Sequence, residues 1–415
     1  MISYKYYSRN MMFEKTNNQE RTGKHDIRYF GRTNFRNSSQ VFGIDTASRL
    51  AHTYIVGKTG TGKTTLLETL IRQDIDHHTG CSLIDPHGDM VESIVQSIPK
   101  HRQKDIIYIN ATDPNSKWGY NPIRRVSEEK RALAASGMLE IFKKLWSDAW
   151  GVRMEHIFRN ILLTLYAQPK ATLDDIPKIF SDQGFRNSCL RNVSNPAVRA
   201  FWLDEFAKYS PRLRADAIIP IQNKVGAFLS NPIIRRIIVD PKQEVSLRTA
   251  MDEGKIILIN LAKGRIGEDA SHLLGGLLIT TLGLAAFTRA ELPPPQRRPF
   301  IIYVDEFQNF TTLALVNMLS ELRKYATAMV LANQYLDQLD IDIRDAVLGN
   351  VGTFISFRVG PKDARYIARE LYPMFLIEDI INLPNYRIYL KLLINGTPSK
   401  PFSADTLRYI DLQNK

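Results

Sequence analysis

Between residues 41 and 125, apolar runs of strand length alternate with helical patterns. The runs predict strands at residues 54–56, 81–84 and 106–110, and the patterns between them predict helices at 63–77 and 90–98. A β-α-β-α-β order is typical of parallel strands joined by crossover helices. We therefore assign residues 41–125 to the first part of an α/β domain.

Helical patterns dominate residues 126–240, where strand signals fade. The predicted helices cover residues 128–146, 153–167, 174–180, 196–206 and 219–229. We interpret this stretch as an all-α insertion whose aromatic and leucine side chains serve packing. Strands return in residues 241–415, at 255–260, 300–304, 328–332 and 351–357, and a hairpin around Asn395-Gly396 is predicted near the end. The α/β domain is thus expected to resume after the insertion.

The net charge favours a polyanionic partner. Lys and Arg number 55 against 43 for Asp and Glu, giving a formal net charge of +12, so nucleic acid is the first expectation and anionic lipid the second. Residues 1–40 are polar and basic, and we expect a disordered or loosely packed basic arm there.

The cysteines and the apolar stretches indicate the compartment. Cys81 and Cys189 are the only cysteines, and neither has a partner at metal-ligand spacing, which favours a reduced compartment and no zinc site. The longest apolar stretch, residues 273–287, suits a buried core helix better than a membrane span. We expect no intrinsic membrane span.

A glycine-rich loop after the first predicted strand carries the strongest chemical signal. The residues expected to contact a nucleotide are Gly57, Lys58, Thr59, Gly60, Thr61, Gly62, Lys63, Thr64 and Thr65. Glycines let backbone N–H groups point at phosphate oxygens, and the following helix adds the positive end of its dipole. Lys63 would reach the β- and γ-phosphates, and the Thr64 hydroxyl would bind Mg²⁺. ATP and Mg²⁺ are therefore the predicted cofactors.

Two carboxylates follow the apolar run at residues 300–304. In a phosphate-loop enzyme Asp305 would hold Mg²⁺, and Glu306 would orient and deprotonate the attacking water. The pair favours hydrolysis over nucleotide binding alone. Gln334 follows the run at 328–332, where its amide would sense the γ-phosphate or the water, with a strand-end cap as the alternative.

Three further charged residues have two open interpretations. Asp85 and Asp89 follow another predicted strand, and they suit either a role near the nucleotide or a turn with a helix cap. Arg323 lies on the helix before residues 328–332, where it would either stabilise a transferring phosphoryl group or be solvated.

Four motifs together resemble the FtsK/HerA superfamily and, within it, the conjugative coupling ATPases of type IV secretion (TraD/TraG-like). They are the glycine-rich loop, Leu83-Ile-Asp-Pro-His-Gly-Asp89, Ile302-Tyr-Val-Asp-Glu-Phe307, and Leu319-Ser-Glu-Leu-Arg-Lys-Tyr325 with its following Gln334. The resemblance covers about residues 41–405, including the helical insertion. It implies an α/β fold with a RecA-like P-loop NTPase core, a mostly parallel sheet and an all-α insertion domain. It also implies a homohexameric ring that moves DNA through a central channel.

The resemblance implies residue roles as well. By position in the motifs, catalysis would use Lys63, Glu306, Gln334 and Arg323, with Thr64 and Asp305 on the metal and Arg323 inserted into a neighbouring subunit's site. Asn350 and Arg358 resemble a later family segment. Lys263 and Arg265 would lie on a loop that either faces the channel or is solvated.

The resulting expectation is an ATPase that couples hydrolysis to DNA translocation, as in conjugative DNA transfer. Membrane-bound coupling proteins carry amino-terminal transmembrane helices, so a chain without them is expected in the cytoplasm, recruited to the inner membrane by a partner. That partner would be a secretion channel or relaxosome. The alternatives are a HerA-like translocase working with a nuclease, a non-hydrolysing docking protein, and a motor for protein substrates.

Overall fold

The strands lie in the described part of the chain, which is residues 26–35, 39–146 and 150–413 of a computed structural model. They are β1 (Ile27–Thr33), β2 (Val41–Asp45), β3 (Thr53–Val56), β4 (Gly80–Asp85), β5 (Ile106–Asn110), β6 (Trp118–Gly119), β7 (Gln243–Glu244), β8 (Ile256–Asn260), β9 (Phe300–Val304), β10 (Thr327–Asn333), β11 (Thr353–Ser356), β12 (Arg387–Lys391), β13 (Leu393–Ile394), β14 (Thr397–Pro398) and β15 (Phe402–Thr406).

One large sheet contains 11 of these strands, in the order β2-β1-β15-β12-β11-β3-β10-β9-β4-β8-β5. From β11 to β5 every neighbouring pair is parallel. From β11 back to β2 the pairs are antiparallel. The predicted α/β class with a mostly parallel sheet is therefore confirmed, and the carboxyl ends of the parallel strands form one common edge.

The α-helices cover most of the remaining chain. They are α1 (Thr46–Arg49), α2 (Lys63–Asp76), α3 (Asp89–Gln96), α4 (Glu128–Leu145), α5 (Val152–Leu165), α6 (Asp175–Ser181), α7 (Gln183–Leu190), α8 (Pro196–Ala200), α9 (Pro211–Leu229), α10 (Pro232–Ile238), α11 (Leu247–Glu253), α12 (Lys263–Ile266), α13 (Glu268–Thr288), α14 (Leu313–Glu321), α15 (Ile341–Asn350), α16 (Pro361–Glu370), α17 (Ile377–Ile381) and α18 (Tyr409–Gln413). Helices α4 to α10 fall within the predicted insertion.

A short strand pair marks where the insertion leaves and rejoins the core. β6 and β7 run parallel, with Trp118 opposite Gln243 and Gly119 opposite Glu244. The chain therefore enters and leaves the helical region through two adjacent segments. Helices α4 to α10 all lie between these two strands.

Apolar side chains cover both faces of the large sheet. Tyr54 and Val56 of β3 join the cluster that contains α13 and the insertion helices, whereas Ile55 faces the cluster with α2 and α3. Burial on both faces explains why the parallel strands read as continuous apolar runs. One helix in the described ranges, Glu268–Glu291, is long and apolar enough to span a membrane, and 78% of its apolar window is buried in the core. The core helix predicted at residues 273–287 is thus confirmed.

The predicted arm at residues 1–40 is wrong in its last part. Residues 1–25 lie outside the described chain, but β1 pairs with β15 and β2 within the large sheet. Arg28 of this strand is buried, and its Nε lies 2.8 Å from Oδ1 of Asp74. Arg49 binds the same carboxylate at 2.6 Å. A buried ion pair lets a basic segment take a core position, which a charge count does not reveal.

Candidate active site

The glycine-rich loop connects β3 to α2 at the common carboxyl edge. β3 is buried throughout, so the chain leaves the core at Val56 and turns directly into the loop. Gly60 and Gly62 have φ values of 76° and 120°, in the left-handed region that favours glycine. A side chain is also excluded at Gly57, because a Cβ there would lie 2.5 Å from Cβ of Phe357. These constraints account for the glycine spacing of the loop.

Lys63 lies buried in the first turn of α2 with its ammonium directed back into the loop. Its Nζ donates to the carbonyl oxygens of Gly57 at 2.5 Å and Lys58 at 3.3 Å. Burial lowers the pKa of Lys63, and the carboxylates of Glu306 and Asp305 oppose that shift. The ammonium therefore lies against the loop, within electrostatic range of the two carboxylates.

Asp305 and Glu306 follow β9 at the same edge and are buried. Burial raises the pKa of Asp305 from its ordinary value of 3.8 to about 7, with further increases from Glu306 and Asp85 and a decrease from Lys63. Such a shift marks a carboxylate that lacks enough positive charge nearby. The site has the electrostatics of one that accepts a cation.

Two amide side chains hold the Glu306 carboxylate. Nε2 of Gln334 donates to Oε1 at 2.8 Å, and Nε2 of Gln308 donates to Oε2 at 2.6 Å. The Glu306 backbone itself is left-handed, with φ of 48°, a conformation that residues other than glycine rarely adopt. Gln334 thus meets Glu306 across the edge. The contribution of Gln308 was not predicted, although its position two residues after Glu306 could have suggested it.

Few protein side chains are available to bind Mg²⁺ at this edge. No group of three or more His, Cys, Asp or Glu side chains suited to a metal occurs in residues 26–35, 39–146 and 150–413. Mg²⁺ is commonly held by one or two protein oxygens together with phosphate oxygens and water. The exposed Thr64 hydroxyl and the cation-poor Asp305 carboxylate fit that requirement.

Asp85 is held by backbone hydrogen bonds, whereas Asp89 is exposed to solvent. Asp85 accepts backbone N–H bonds from His87 at 2.9 Å, Met90 at 3.0 Å and Val91 at 3.1 Å. It therefore stabilises the turn and the start of α3, while its charge also raises the pKa of Asp305. Asp89 is exposed in the first turn of α3.

Arg323 lies at the opposite edge of the sheet. β10 runs parallel to β3, with Asn333 opposite Val56 beside the glycine-rich loop. Arg323 precedes the start of β10 at Thr327 and is exposed. Six residue steps of about 3.3 Å separate Thr327 from Asn333, so the end of β10 next to Arg323 lies roughly 20 Å from the loop edge. Within one chain, Arg323 does not meet the other predicted catalytic residues.

A buried histidine fixes the segment next to Arg323. Nε2 of His52 lies 2.9 Å from the Leu319 carbonyl oxygen, and the Met329 N–H donates to Nδ1 at 3.0 Å. Burial lowers the pKa of His52 to about 4, and the charge of Arg323 adds to that shift. The neutral Nε2–H tautomer therefore joins the start of β3 to the helix that leads to Arg323.

The insertion contacts the turn that follows Glu306. Nζ of Lys144, on α4, donates to Oγ1 of Thr311 at 2.8 Å and to the Gln308 carbonyl oxygen at 3.1 Å. Glu140 of the same helix accepts the N–H of Ala314 at 2.9 Å. Helix α4 thus contacts the segment that connects Glu306 to α14. These contacts join residues far apart in sequence, so no local pattern predicts them.

The remaining predicted residues lie in different places. Arg358 follows β11 at the loop edge, where its carbonyl oxygen accepts the Lys58 N–H at 2.9 Å. Asn350 precedes β11 and donates to the Ala346 carbonyl oxygen at 2.8 Å. The predicted loop around Lys263 and Arg265 is instead the short helix α12, and the side chain of Arg265 is exposed.

The chain is similar in sequence and in fold to proteins of type IV secretion. A protein-family model described as the type IV secretion-system coupling protein DNA-binding domain matches residues 40–372. The bacterial conjugative coupling protein TrwB has the same fold, with a TM-score of 0.60 and 16% identity over 88% of this chain and 87% of that one. VirB4 of Thermoanaerobacter pseudethanolicus gives a TM-score of 0.58 and 13% identity over 93% of this chain and 97% of that one. No curated protein sequence matches.

TrwB has also been solved with bound nucleotide. TrwB in complex with ADP and Mg²⁺ matches with a TM-score of 0.60 and 16% identity, over 88% of this chain and 87% of that one. The family match and these shared folds confirm the P-loop ATPase resemblance drawn from the four motifs.

Proposed function

We propose that this chain, which belongs to the type IV secretion-system coupling protein DNA-binding domain family, is an ATP-hydrolysing motor that moves DNA. The observation that carries the proposal is the pair of hydrogen bonds that Gln334 and Gln308 donate to the Glu306 carboxylate. The buried Lys63 lies within electrostatic range of that carboxylate. A protein that only binds nucleotide does not need a fixed carboxylate beside the phosphate loop.

ATP would bind with its phosphates in the glycine-rich loop. Backbone N–H groups of residues 57–65 would contact the phosphate oxygens, and the Lys63 ammonium would exchange its carbonyl partners for the β- and γ-phosphates. Thr64 and Asp305 would hold Mg²⁺, which when bound would neutralise phosphate charge and orient the γ-phosphate. The TrwB complexes with ADPNP and with ADP and Mg²⁺ support this assignment.

Glu306 would act as the general base. Its two oxygens are held by different amide groups, so the carboxylate has a fixed position from which to accept a proton from the attacking water. Gln334 also lies at the tip of β10, where it would respond to the presence of the γ-phosphate. Fixing the carboxylate before the substrate binds reduces the reorganisation needed in the transition state.

Arg323 would complete the site of a neighbouring subunit. Its place at the far edge of the sheet excludes a role in its own loop, whereas a copy packed against that edge would receive it. Repeating this contact around an axis gives a closed ring, and we propose a homohexamer. A central channel in such a ring would hold DNA.

DNA is the proposed substrate because the chain is basic and the matching family is a DNA-binding domain. Lys and Arg contacts to phosphates would give binding that depends on salt but little on base sequence. The partner would be a secretion channel, a relaxosome or a nuclease that receives or processes the moved DNA. Recruitment to the inner membrane would also depend on that partner.

Steady-state ATP hydrolysis with and without DNA tests the proposal. We expect turnover by the full chain, stimulated by single- or double-stranded DNA and lost in Lys63→Ala. Turnover that ignores all DNA would contradict a DNA motor and favour a protein substrate. ATP binding without any turnover would instead favour a docking protein.

A further inference from the structure

The sheet order determines in which direction a nucleotide must lie across the loop. Glu306 and Gln334 follow β9 and β10, which lie on one side of β3. β11 and β12 lie on the other side. A γ-phosphate placed near Glu306 therefore leaves the nucleoside end to extend over β11 and β12.

Tyr386 lies on that second side, immediately before β12. Its N–H donates to the Thr61 carbonyl oxygen at 2.8 Å, and its own carbonyl oxygen accepts the Thr406 N–H at 2.8 Å. A Cβ added at Gly62 would lie 2.9 Å from Cδ1 of Tyr386, so the ring rests against the glycine-rich loop. The segment is therefore attached both to the loop and to the sheet.

The Tyr386 ring remains exposed although its backbone is tightly held. The side chain is 53% exposed, and φ is 64°, a left-handed conformation that residues with bulky side chains rarely adopt. Asn or Gly would fit this backbone better, and about half of the tyrosine is left uncovered. An aromatic ring kept in such a position suggests that the ring itself has a use.

The Arg358 side chain also holds this segment. The Arg358 guanidinium donates to Oδ1 of Asn385 at 2.8 Å and to the Leu383 carbonyl oxygen at 3.3 Å. The Arg358 carbonyl oxygen accepts the Lys58 N–H at 2.9 Å. Loop, Arg358 and Tyr386 thus form one connected wall beside the phosphate site.

From these observations we propose that Tyr386 is the stacking platform for the nucleotide base. This inference rests on the proposed nucleotide function and adds the base subsite, for which a purine base is the ligand. Stacking uses the face of the base and does not read its edge, so ATP and GTP are expected to bind alike through Tyr386. Arg358 acts as a positioning residue that holds the segment carrying the ring.

Equilibrium binding of ATP, GTP and inorganic tripolyphosphate to the full chain, each with Mg²⁺, tests the platform. Tripolyphosphate has the phosphates but no base. Tyr386→Asn removes the ring and suits the left-handed backbone, Tyr386→Phe keeps the ring, and Tyr372→Asn removes a ring that is 77% exposed elsewhere. Binding of tripolyphosphate also reports whether the phosphate loop of each variant is intact.

We expect Tyr386→Asn to raise Kd for ATP and GTP about tenfold while Kd for tripolyphosphate stays within about twofold. Tyr386→Phe and Tyr372→Asn should match the unaltered chain. Equal weakening for all three ligands would show that Tyr386 only supports the loop, and unchanged ATP binding would remove it from the site. Either result would overturn the platform without touching the proposed motor. Failure of the unaltered chain to bind ATP would overturn both.

Discussion

We predict that Asp305→Asn stabilises the protein when nucleotide and Mg²⁺ are absent. The folded pKa of Asp305 is about 7, above its ordinary value of 3.8. The folded state therefore holds this proton more tightly than the unfolded state, and ionising the carboxylate costs stability. The cost is absent below about pH 4 and grows as pH rises toward 7. Asn has nearly the same shape and does not ionise, so it avoids the cost.

The size of the effect follows from that pKa difference. At about 1.36 kcal/mol per pKa unit, Asp305→Asn should raise the free energy of unfolding by up to about 4 kcal/mol at pH 8 and about 2 kcal/mol at pH 5. Melting temperatures measured in EDTA at both pH values would check this. Asp89→Asn, an exposed carboxylate near the same edge, is the control. An Asp305→Asn variant no more stable than the control at pH 8 would refute the argument, as would a gain that does not shrink at pH 5.

Three further predictions concern catalysis. Glu306→Gln should keep ATP binding but lower kcat at least about 100-fold, because it removes the general base, and unchanged turnover would remove Glu306 from the mechanism. Arg323→Ala and Lys63→Ala should each be inactive alone. A random 1:1 mixture should regain up to roughly a quarter of full activity, because a complete site needs Lys63 from one subunit and Arg323 from its neighbour, and about one interface in four has both. An inactive mixture that still assembles would contradict the shared site. Lys144→Met should lower kcat about fivefold with KM for ATP unchanged, because Lys144 holds the turn after Glu306, whereas the adjacent exposed Lys143→Met should behave as the unaltered chain.

Local patterns predicted the centre of the fold well. The strand expected at residues 106–110 is β5. The other strands predicted in the parallel part of the sheet begin and end within two residues of their predicted bounds. Strands that are buried on both faces leave continuous apolar runs, and the glycine-rich loop requires glycine for its backbone angles. Such features depend on a few neighbouring residues, so sequence alone is enough to find them.

Features set by distant contacts were missed or misjudged. β1 looks like a basic arm because its buried Arg28 depends on Asp74, which lies on α2. Helix α9 begins at Pro211, before the predicted start at residue 219, because Ser210 caps it and proline suits its first turn. In place of one helix at 196–206, the structure has the short α-helix α8, which ends at Ala200. A wider π-helical turn follows at Phe201–Glu205.

Candidate site residues show the same division. Lys63, Asp305, Glu306 and Gln334 were identified from motifs, and the sheet places them at one edge. Strand direction and topology determine at which edge Arg323 lies. They also determine that Tyr386 contacts the glycine-rich loop. Neither could be derived from spacing along the chain.

Movement along DNA is the most direct test of the central claim. A DNA duplex carrying a short third strand, and a single strand carrying streptavidin at one end, would be incubated with the full chain and ATP. We predict ATP-dependent displacement of the third strand or of streptavidin, with none by Glu306→Gln. ATP hydrolysis without displacement from either DNA would contradict the account.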